Sequence, residues 1–347
     1  MSGRAVLTLG SATFAMEAWE SICRQHEVDI LPREELPDHT SVANAIAEIV
    51  AARAAAGKAP YVAFIWFFDT WKYGPFNENM LGPLIRNGCR LVCGLGAGYD
   101  IADIAYLTNQ GTYYCNTPTA ITVSTANGAL MLILAATRAA SQGELLTRAG
   151  KWRGDVPANT IPLGEDIQGM TLGIIGLGSI GKALAVRAKA CGMNIIYYNR
   201  RRVAESEENG ATFVTFDELL AKADVISVNC PLTPETRHFL GPAEFSKMKT
   251  GVFIVNTARG PIIDEEALVQ ALQSGKVSRV GLDVFEQEPD IHPGLLDPSM
   301  TYRVNFQPHM TGRTRQAFCD AELQLFESLE DFMNGKRPRY AVNTLPM

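Results

Sequence analysis

The run Thr171-Leu-Gly-Ile-Ile-Gly176-Leu-Gly178-Ser-Ile-Gly181-Lys182 constrains this chain more than any other segment. It places Gly-x-Gly-x-x-Gly between an apolar, β-branched run and a helical pattern that continues to Cys191. The glycine spacing alone is weak; a strand turning directly into a helix is the context that a dinucleotide-binding βαβ unit requires. Gly176 permits the tight turn, Gly178 lets backbone approach a pyrophosphate, and Gly181 lets helix and strand pack closely. Ser179 and Ile180 open the helix, where free N–H groups and the helix dipole favour phosphate. A glycine-rich turn with no ligand is the competing reading.

The following strand, Asn194–Tyr198, weighs against that bland reading. It ends at Asn199-Arg200-Arg201-Arg202. An NAD site places Asp or Glu here to hold the ribose 2′-OH. Asn199 stands there instead, and an uncharged residue does not repel a 2′-phosphate. Arg200 and Arg201 can bind one through charge-assisted contacts, while Arg202 faces water. The expected cofactor is NADP(H) by preference, with NAD(H) possible. A solvated basic turn is the alternative.

The rest of the 347 residues repeats the same alternation. Strand-like runs stand at 5–9, 28–31, 61–67, 90–93 and 113–115. A second set stands at 171–175, 194–198, 225–228, 252–255, 279–282 and 303–305. Helical patterns separate most of them, among them a long helix over 119–141. This is the signature of an α/β protein with parallel sheets, and two sets of strands predict two sheets. Composition agrees, with 47% hydrophobic and 20% charged residues, enough to bury sizeable cores.

Other classes are disfavoured. A net charge of −6 gives no footprint for nucleic acid or an acidic membrane surface. The longest apolar run, 129–136, is far below a membrane span of about 20 residues. Seven scattered cysteines without a Cys-x-x-Cys pair predict reduced thiols and a cytoplasmic location, and the five histidines show no metal-ligand spacing.

Beyond the fingerprint, several segments keep both order and spacing: Gly96-Ala97-Gly98-Tyr-Asp100, Asn116-Thr-Pro118, Arg148-x-Gly150-x-Trp152, Pro231-Leu-Thr-Pro-Glu-Thr236, Asn256-Thr257-Ala258-Arg259-Gly260, Gly281-Leu-Asp283-Val-Phe-Glu-Gln-Glu288-Pro289 and Gln307-Pro-His309. With these the chain resembles the D-isomer-specific 2-hydroxyacid dehydrogenases over nearly its whole length. Among them it looks most like fungal D-mandelate dehydrogenases and related keto-acid reductases. The resemblance implies two Rossmann-like, doubly wound domains with a cleft between them. Residues 1–118 and 313–347 would form a discontinuous substrate domain, and 119–312 the dinucleotide domain. It also implies a homodimer, with the long helix and the loop after it at the interface.

The resemblance assigns catalysis to Arg259, Glu288 and His309, and the chemistry explains the set. Arg259 can clamp the carboxylate and polarise the carbonyl of a 2-keto acid. His309 can donate the proton that follows hydride addition and remove it in the reverse direction. Glu288 would orient the imidazole and favour its charged form. Taken singly, each is as well read as a surface or turn residue; His238 and His292, the rival histidines, read as surface.

Further carry-overs are Ala97 and Gly98 as amide donors to the substrate carboxylate, and Asp283 as the partner of the nicotinamide amide. Cys230 and Pro231 fall on the adenine side. Thr236, Thr257, Ala258 and Thr311 complete the expected cofactor contacts, together with Arg259 and His309. The chain departs from the family at Thr119, Asn127 and Met310-Thr311-Gly312.

Six of the eleven residues from Trp66 to Phe76 are aromatic. Trp66 and Trp71 are therefore candidates for an apolar pocket wall suited to a bulky hydrophobic 2-keto acid such as phenylglyoxylate, with ordinary core packing as the equal alternative. A glyoxylate or hydroxypyruvate reductase shares every catalytic residue. A cofactor-sensing co-repressor of the same fold is the reading from another class.

Overall fold

The computed structural model describes residues 4–67, 71–157 and 163–345. In chain order the elements are β1 (Ala5–Leu9), α1 (Met16–Gln25), β2 (Glu27–Leu31), α2 (His39–Ala55), β3 (Tyr61–Trp66), α3 (Glu78–Arg86), β4 (Leu91–Gly94), α4 (Ile104–Asn109) and β5 (Tyr113–Cys115). There follow α5 (Thr122–Arg138), α6 (Ala140–Arg148), β6 (Thr171–Ile175), α7 (Ser179–Ala190), β7 (Asn194–Tyr198), β8 (Thr212–Phe213), α8 (Phe216–Lys222) and β9 (Val225–Val228). The chain ends with α9 (Pro242–Lys247), β10 (Val252–Asn256), α10 (Glu265–Gln273), β11 (Val277–Leu282), α11 (Pro293–Leu296), β12 (Val304–Phe306) and α12 (Arg315–Met333). Two compact units result, Met1–Ile121 with Thr314–Met347, and Thr122–Arg313.

The first unit is built on an all-parallel sheet in the order β2-β1-β3-β4-β5. Both faces are covered, so its central strands are apolar apart from the buried Thr8 rather than alternating. Along β3, Phe64 and Trp66 enter one core and Ala63, Ile65 and Phe67 the other. Helix α12 returns to this unit and places Leu325, Phe326 and Leu329 in the second of those cores. Its Glu322 is fully buried and accepts the N–H groups of Thr13, Phe14 and Ala15 at 2.8, 2.9 and 2.6 Å. These amides precede α1, which has no capping side chain of its own.

The second unit has a seven-stranded parallel sheet in the order β12-β11-β10-β9-β6-β7-β8. The winding reverses between β6 and β9, and ligands of doubly wound sheets bind outside the carboxyl ends at such a switch point. Both sheets are parallel with flanking helices, as the alternation predicts, and doubly wound, as the resemblance implies. Two local expectations fail. The two-residue edge strand β8 is absent from the predicted set, being too short to show a pattern. The predicted helix over 119–141 is two helices bent by 74°. Ala139 between them adopts a left-handed φ of 50°. Tertiary contacts impose the break: Arg279 Nη1 takes the Thr137 carbonyl at 2.9 Å, and Asn305 Oδ1 accepts Ser141 N–H at 3.1 Å. Among the described residues no single helix is long and apolar enough to cross a membrane.

Candidate active site

Three loops at the carboxyl ends of β10, β11 and β12 bring Arg259, Glu288 and His309 into one region of the second unit. The first loop turns on Asn256, buried at the end of β10. Its Oδ1 accepts Ala258 N–H at 3.0 Å and its Nδ2 donates to the Arg259 carbonyl at 2.9 Å, so one side chain shapes the turn that presents Arg259. Gly260 lets this loop pass against the next. A Cβ there would stand 1.9 Å from the Phe285 carbonyl carbon and 2.4 Å from Glu286 N, closer than any side chain tolerates.

The second loop carries Glu288. Its Oε1 accepts Phe285 N–H at 3.0 Å, and its Oε2 meets His309 Nδ1 at 2.9 Å. A carboxylate can only accept, so Nδ1 carries the hydrogen and Nε2 is left for proton exchange. Burial pushes the Glu288 carboxyl up. The hydrogen bond and charge of His309, the Phe285 N–H and the Arg259 charge outweigh that and hold it below the usual carboxylate range. Behind the loop, Glu265 Oε1 accepts Glu286 N–H at 2.8 Å, while Glu286 pairs with His238 at 2.6 Å and Arg237 at 3.2 Å. His238 is thus a brace for the Glu288 loop. His292 caps α11 by accepting Gly294 N–H at 3.1 Å.

The third loop presents His309 at a left-handed φ of 54°. Its N–H donates to the Asp283 carbonyl at 2.8 Å. Asp283 is 1% exposed. Its carboxylate accepts Met310 N–H at 2.7 Å, Thr311 N–H at 3.1 Å and the Thr311 hydroxyl. Asp283 and Thr311, both expected as cofactor contacts, are here joined to each other beneath the histidine loop. Burial drives the Asp283 carboxyl up despite these donors.

The fingerprint turn follows β6 at the switch point. Gly176 has a φ of 100°, and a Cβ on it would meet Cys230 N at 2.7 Å; one on Gly181 would meet the Gly176 carbonyl oxygen at 2.3 Å. Among the described residues nothing lies within 4 Å of a Cβ on Gly178. The first intrahelical bond of α7 runs from Lys182 N to Gly178 O, so the N–H groups of Ser179, Ile180 and Gly181 stay outside the helical ladder. Thr257 Oγ1 and Asn229 Oδ1 are buried without a partner among the described residues. Open space over Gly178, free helix N–H groups and orphaned buried oxygens suit a dinucleotide. Thr236 is bound into its own turn, its hydroxyl donating to the Pro231 carbonyl at 2.7 Å. Burial pushes the Cys230 thiol up to about 11. At the end of β7, Asn199 Oδ1 accepts Leu177 N–H at 2.7 Å. Arg200, Arg201 and Arg202 are all exposed, and Arg202 faces water as expected while also forming a two-point ion pair with the buried Glu208.

In the first unit, the loop after β4 is pinned by Asn116 Nδ2 on the Ala97 carbonyl at 2.7 Å and by Gly96 N–H on Thr117 Oγ1 at 2.9 Å. Among the described residues the N–H groups of Ala97 and Gly98 have no acceptor. The aromatic segment calls for a correction. Trp66 is 1% exposed and stacks on Phe76 with ring centroids 3.8 Å apart; Phe67 and Tyr73 are equally buried. Trp66 ends a central parallel strand that is covered on both faces, so it packs a core and walls no pocket. Trp71's side chain and residues 68–70 lie outside the described residues. Asn256 and Gly260 stand in a segment that the sequence singles out, but without a role, and the Glu265–Glu286 brace goes unread. Only Asn256 carried a signal, an Asn at a strand end two residues before the amide it accepts.

A doubly wound dinucleotide fold with arginine, glutamate and histidine on adjacent strand ends defines a nicotinamide-dependent dehydrogenase. Comparison with known proteins gives the family. The NAD-binding domain of the D-isomer specific 2-hydroxyacid dehydrogenases matches residues 130–311. The chain is 40% identical over 325 residues to 4-methyl-2-oxopentanoate reductase A of Aspergillus oryzae, covering 93% of each. It is similar to the structure of a glyoxylate reductase from Paecilomyes thermophila, at 37% identity and a TM-score of 0.88 over 99% of both chains. It is also similar to apo D-mandelate dehydrogenase of Rhodotorula graminis, at 27% identity and a TM-score of 0.87 over 99% of both chains. The chain belongs to the D-isomer specific 2-hydroxyacid dehydrogenase family. It is an NAD(P)-dependent oxidoreductase, and the family reaction interconverts 2-keto and D-2-hydroxy acids.

Proposed function

We propose that the protein reduces a 2-keto acid with a branched or aromatic side chain, using NADPH by preference. The observation that carries the reaction is the 2.9 Å contact between His309 Nδ1 and Glu288, with Arg259 on the neighbouring loop. When bound, the reduced nicotinamide supplies the hydride to the carbonyl carbon. His309 delivers the proton to the carbonyl oxygen from Nε2, and Glu288 stabilises the imidazolium before transfer. Arg259 offsets the negative charge that grows on that oxygen. In oxidation, neutral Nε2 takes the hydroxyl proton. Ala97 and Gly98 are the proposed amide donors to the substrate carboxylate.

The side-chain preference rests on the relative named for 4-methyl-2-oxopentanoate, since the buried Trp66 lends it nothing. The relative named for glyoxylate supports a second reading, a glyoxylate reductase. The cofactor preference rests on Arg200 and Arg201, exposed and unpaired among the described residues beside a neutral Asn199. Hydrogen bonds to a charged group contribute about 1.5–3 kcal/mol each, enough for roughly tenfold discrimination. We also propose a cytoplasmic homodimer. Met131 and Leu134 on α5, Leu145 on α6, and Trp152 and Leu163 beyond it are exposed apolar residues along one stretch of the second unit.

The test is kcat/KM for 4-methyl-2-oxopentanoate, phenylglyoxylate and glyoxylate, each with NADPH and NADH. The first two should exceed glyoxylate, and NADPH should exceed NADH about tenfold. A preference for glyoxylate establishes the second reading, and equal cofactor values refute the arginine pair.

A further inference from the structure

Asn199, neutral and at the end of β7, does not repel a 2′-phosphate. Its surroundings give it a definite orientation. The Leu177 N–H lies between Gly176 and Gly178 and donates to Asn199 Oδ1 at 2.7 Å. A backbone N–H cannot accept, so the amide oxygen and not the nitrogen must face the turn. With the oxygen held there, the two N–H donors of Nδ2 are left at the end of β7, and among the described residues they have no partner. Arg200 and Arg201 follow, exposed and unpaired among the described residues, while Arg202 is committed to Glu208. Glu235 lies within charge range of Arg200, and Nδ2 of Asn199 and the two guanidinium groups are the donors that the end of β7 presents. A phosphate monoester offers only acceptor oxygens and can use several such donors at once, whereas a ribose hydroxyl can use one or two.

We propose that Asn199 works at both ends of its amide: Oδ1 holds the glycine turn in place, and Nδ2 donates to the substituent at the 2′ position of the adenosine ribose, selecting phosphate there. This rests on the NADPH reading given above. The two ends can be separated by substitution. Asn199→Asp keeps an oxygen for the Leu177 N–H but replaces the donor with a negatively charged acceptor. Asn199→Ala removes both.

The experiment is a binding titration of NADPH and of NADH, followed by cofactor fluorescence, on the wild type and the two variants. Wild type should bind NADPH more tightly. Asn199→Asp should weaken NADPH at least about tenfold while NADH stays within about threefold. Asn199→Ala should weaken both cofactors, because the turn loses its tether. An Asn199→Asp protein whose NADPH to NADH ratio matches a selective wild type overturns the donor role, and it decides the matter should Asn199→Ala not fold. An Asn199→Ala protein with wild-type affinity for both cofactors overturns the tether. A wild type without preference overturns instead the cofactor reading beneath the inference, and is recognised without either variant.

Discussion

His309 is held by two contacts that leave its Nε2 without a partner among the described residues. Its N–H is bound to the Asp283 carbonyl, its Nδ1 to Glu288, and its backbone sits at a φ of 54°. A non-glycine residue at positive φ is kept there by its surroundings, here by the Asp283 carboxylate gripping the two residues that follow. His309→Ala should lower kcat by about 10²–10⁴-fold, the range for a positioned acid–base group, with cofactor affinity retained. Wild-type turnover in the chemical step contradicts the assignment. Against burial, the hydrogen bond and charge of His309 hold the Glu288 carboxyl below its usual range, and the carboxylate gives His309 Nδ1 a charged acceptor. Asn or Gln at 288 cannot supply it. In Glu288→Gln the protonated pair is less favoured, so keto-acid reduction, which needs that proton, should fall off at lower pH than in wild type. A pH–rate profile of the chemical step checks this, and an unchanged limb contradicts it. At this scale the sequence was informative where side chains sit in ordered motifs. It was silent where backbone decides: nothing in the order of residues says that Asn199 Oδ1 reaches back to Leu177, or that Glu286 leans on His238.

The site depends on how closely loops from neighbouring strands approach. The loop after β10 and the loop after β11 touch at Gly260, where a methyl group would fall within bonding distance of the Phe285 backbone. Gly260→Ala must push the two loops apart, separating Arg259 from Glu288. A displacement of about 1 Å at reacting groups costs on the order of 10²-fold in rate, so kcat should fall by that much or more in protein that still binds cofactor to the fingerprint turn. Near-wild-type kcat would show that the two loops can adjust. Strands were legible because parallel strands buried on both faces stand out as apolar runs. The same burial made Trp66 and Phe67 ambiguous: an aromatic run reads alike in a core and in a pocket wall, and β3, flanked by β1 and β4, puts both rings in cores. The break at Ala139 was illegible because alanine favours helix, and the contacts that end α5 come from Arg279 and Asn305, more than a hundred residues away.

Across the whole molecule, the chain winds one parallel sheet, then a second, and returns in α12 to complete the core of the first. The two sets of strand-like runs made the two-sheet architecture readable. The hold of Glu322 on Thr13, Phe14 and Ala15 spans some three hundred residues and was not. The exposed apolar residues of α5 and α6 bear on assembly. Light scattering should give twice the 37.8 kDa chain mass, and Leu134→Asp should shift it towards one chain. A wild-type monomer at assay concentration contradicts the dimer. Arg259, Glu288 and His309 are proposed to carry out family-type keto-acid reduction to the D isomer. The most direct measurement is chiral chromatography of the product formed from 4-methyl-2-oxopentanoate and NADPH, run with purified wild type and with His309→Ala. The wild type should give the D-2-hydroxy acid, and the variant a rate lower by about 10²-fold or more. An L or racemic product, or equal rates from the two proteins, would contradict this assignment.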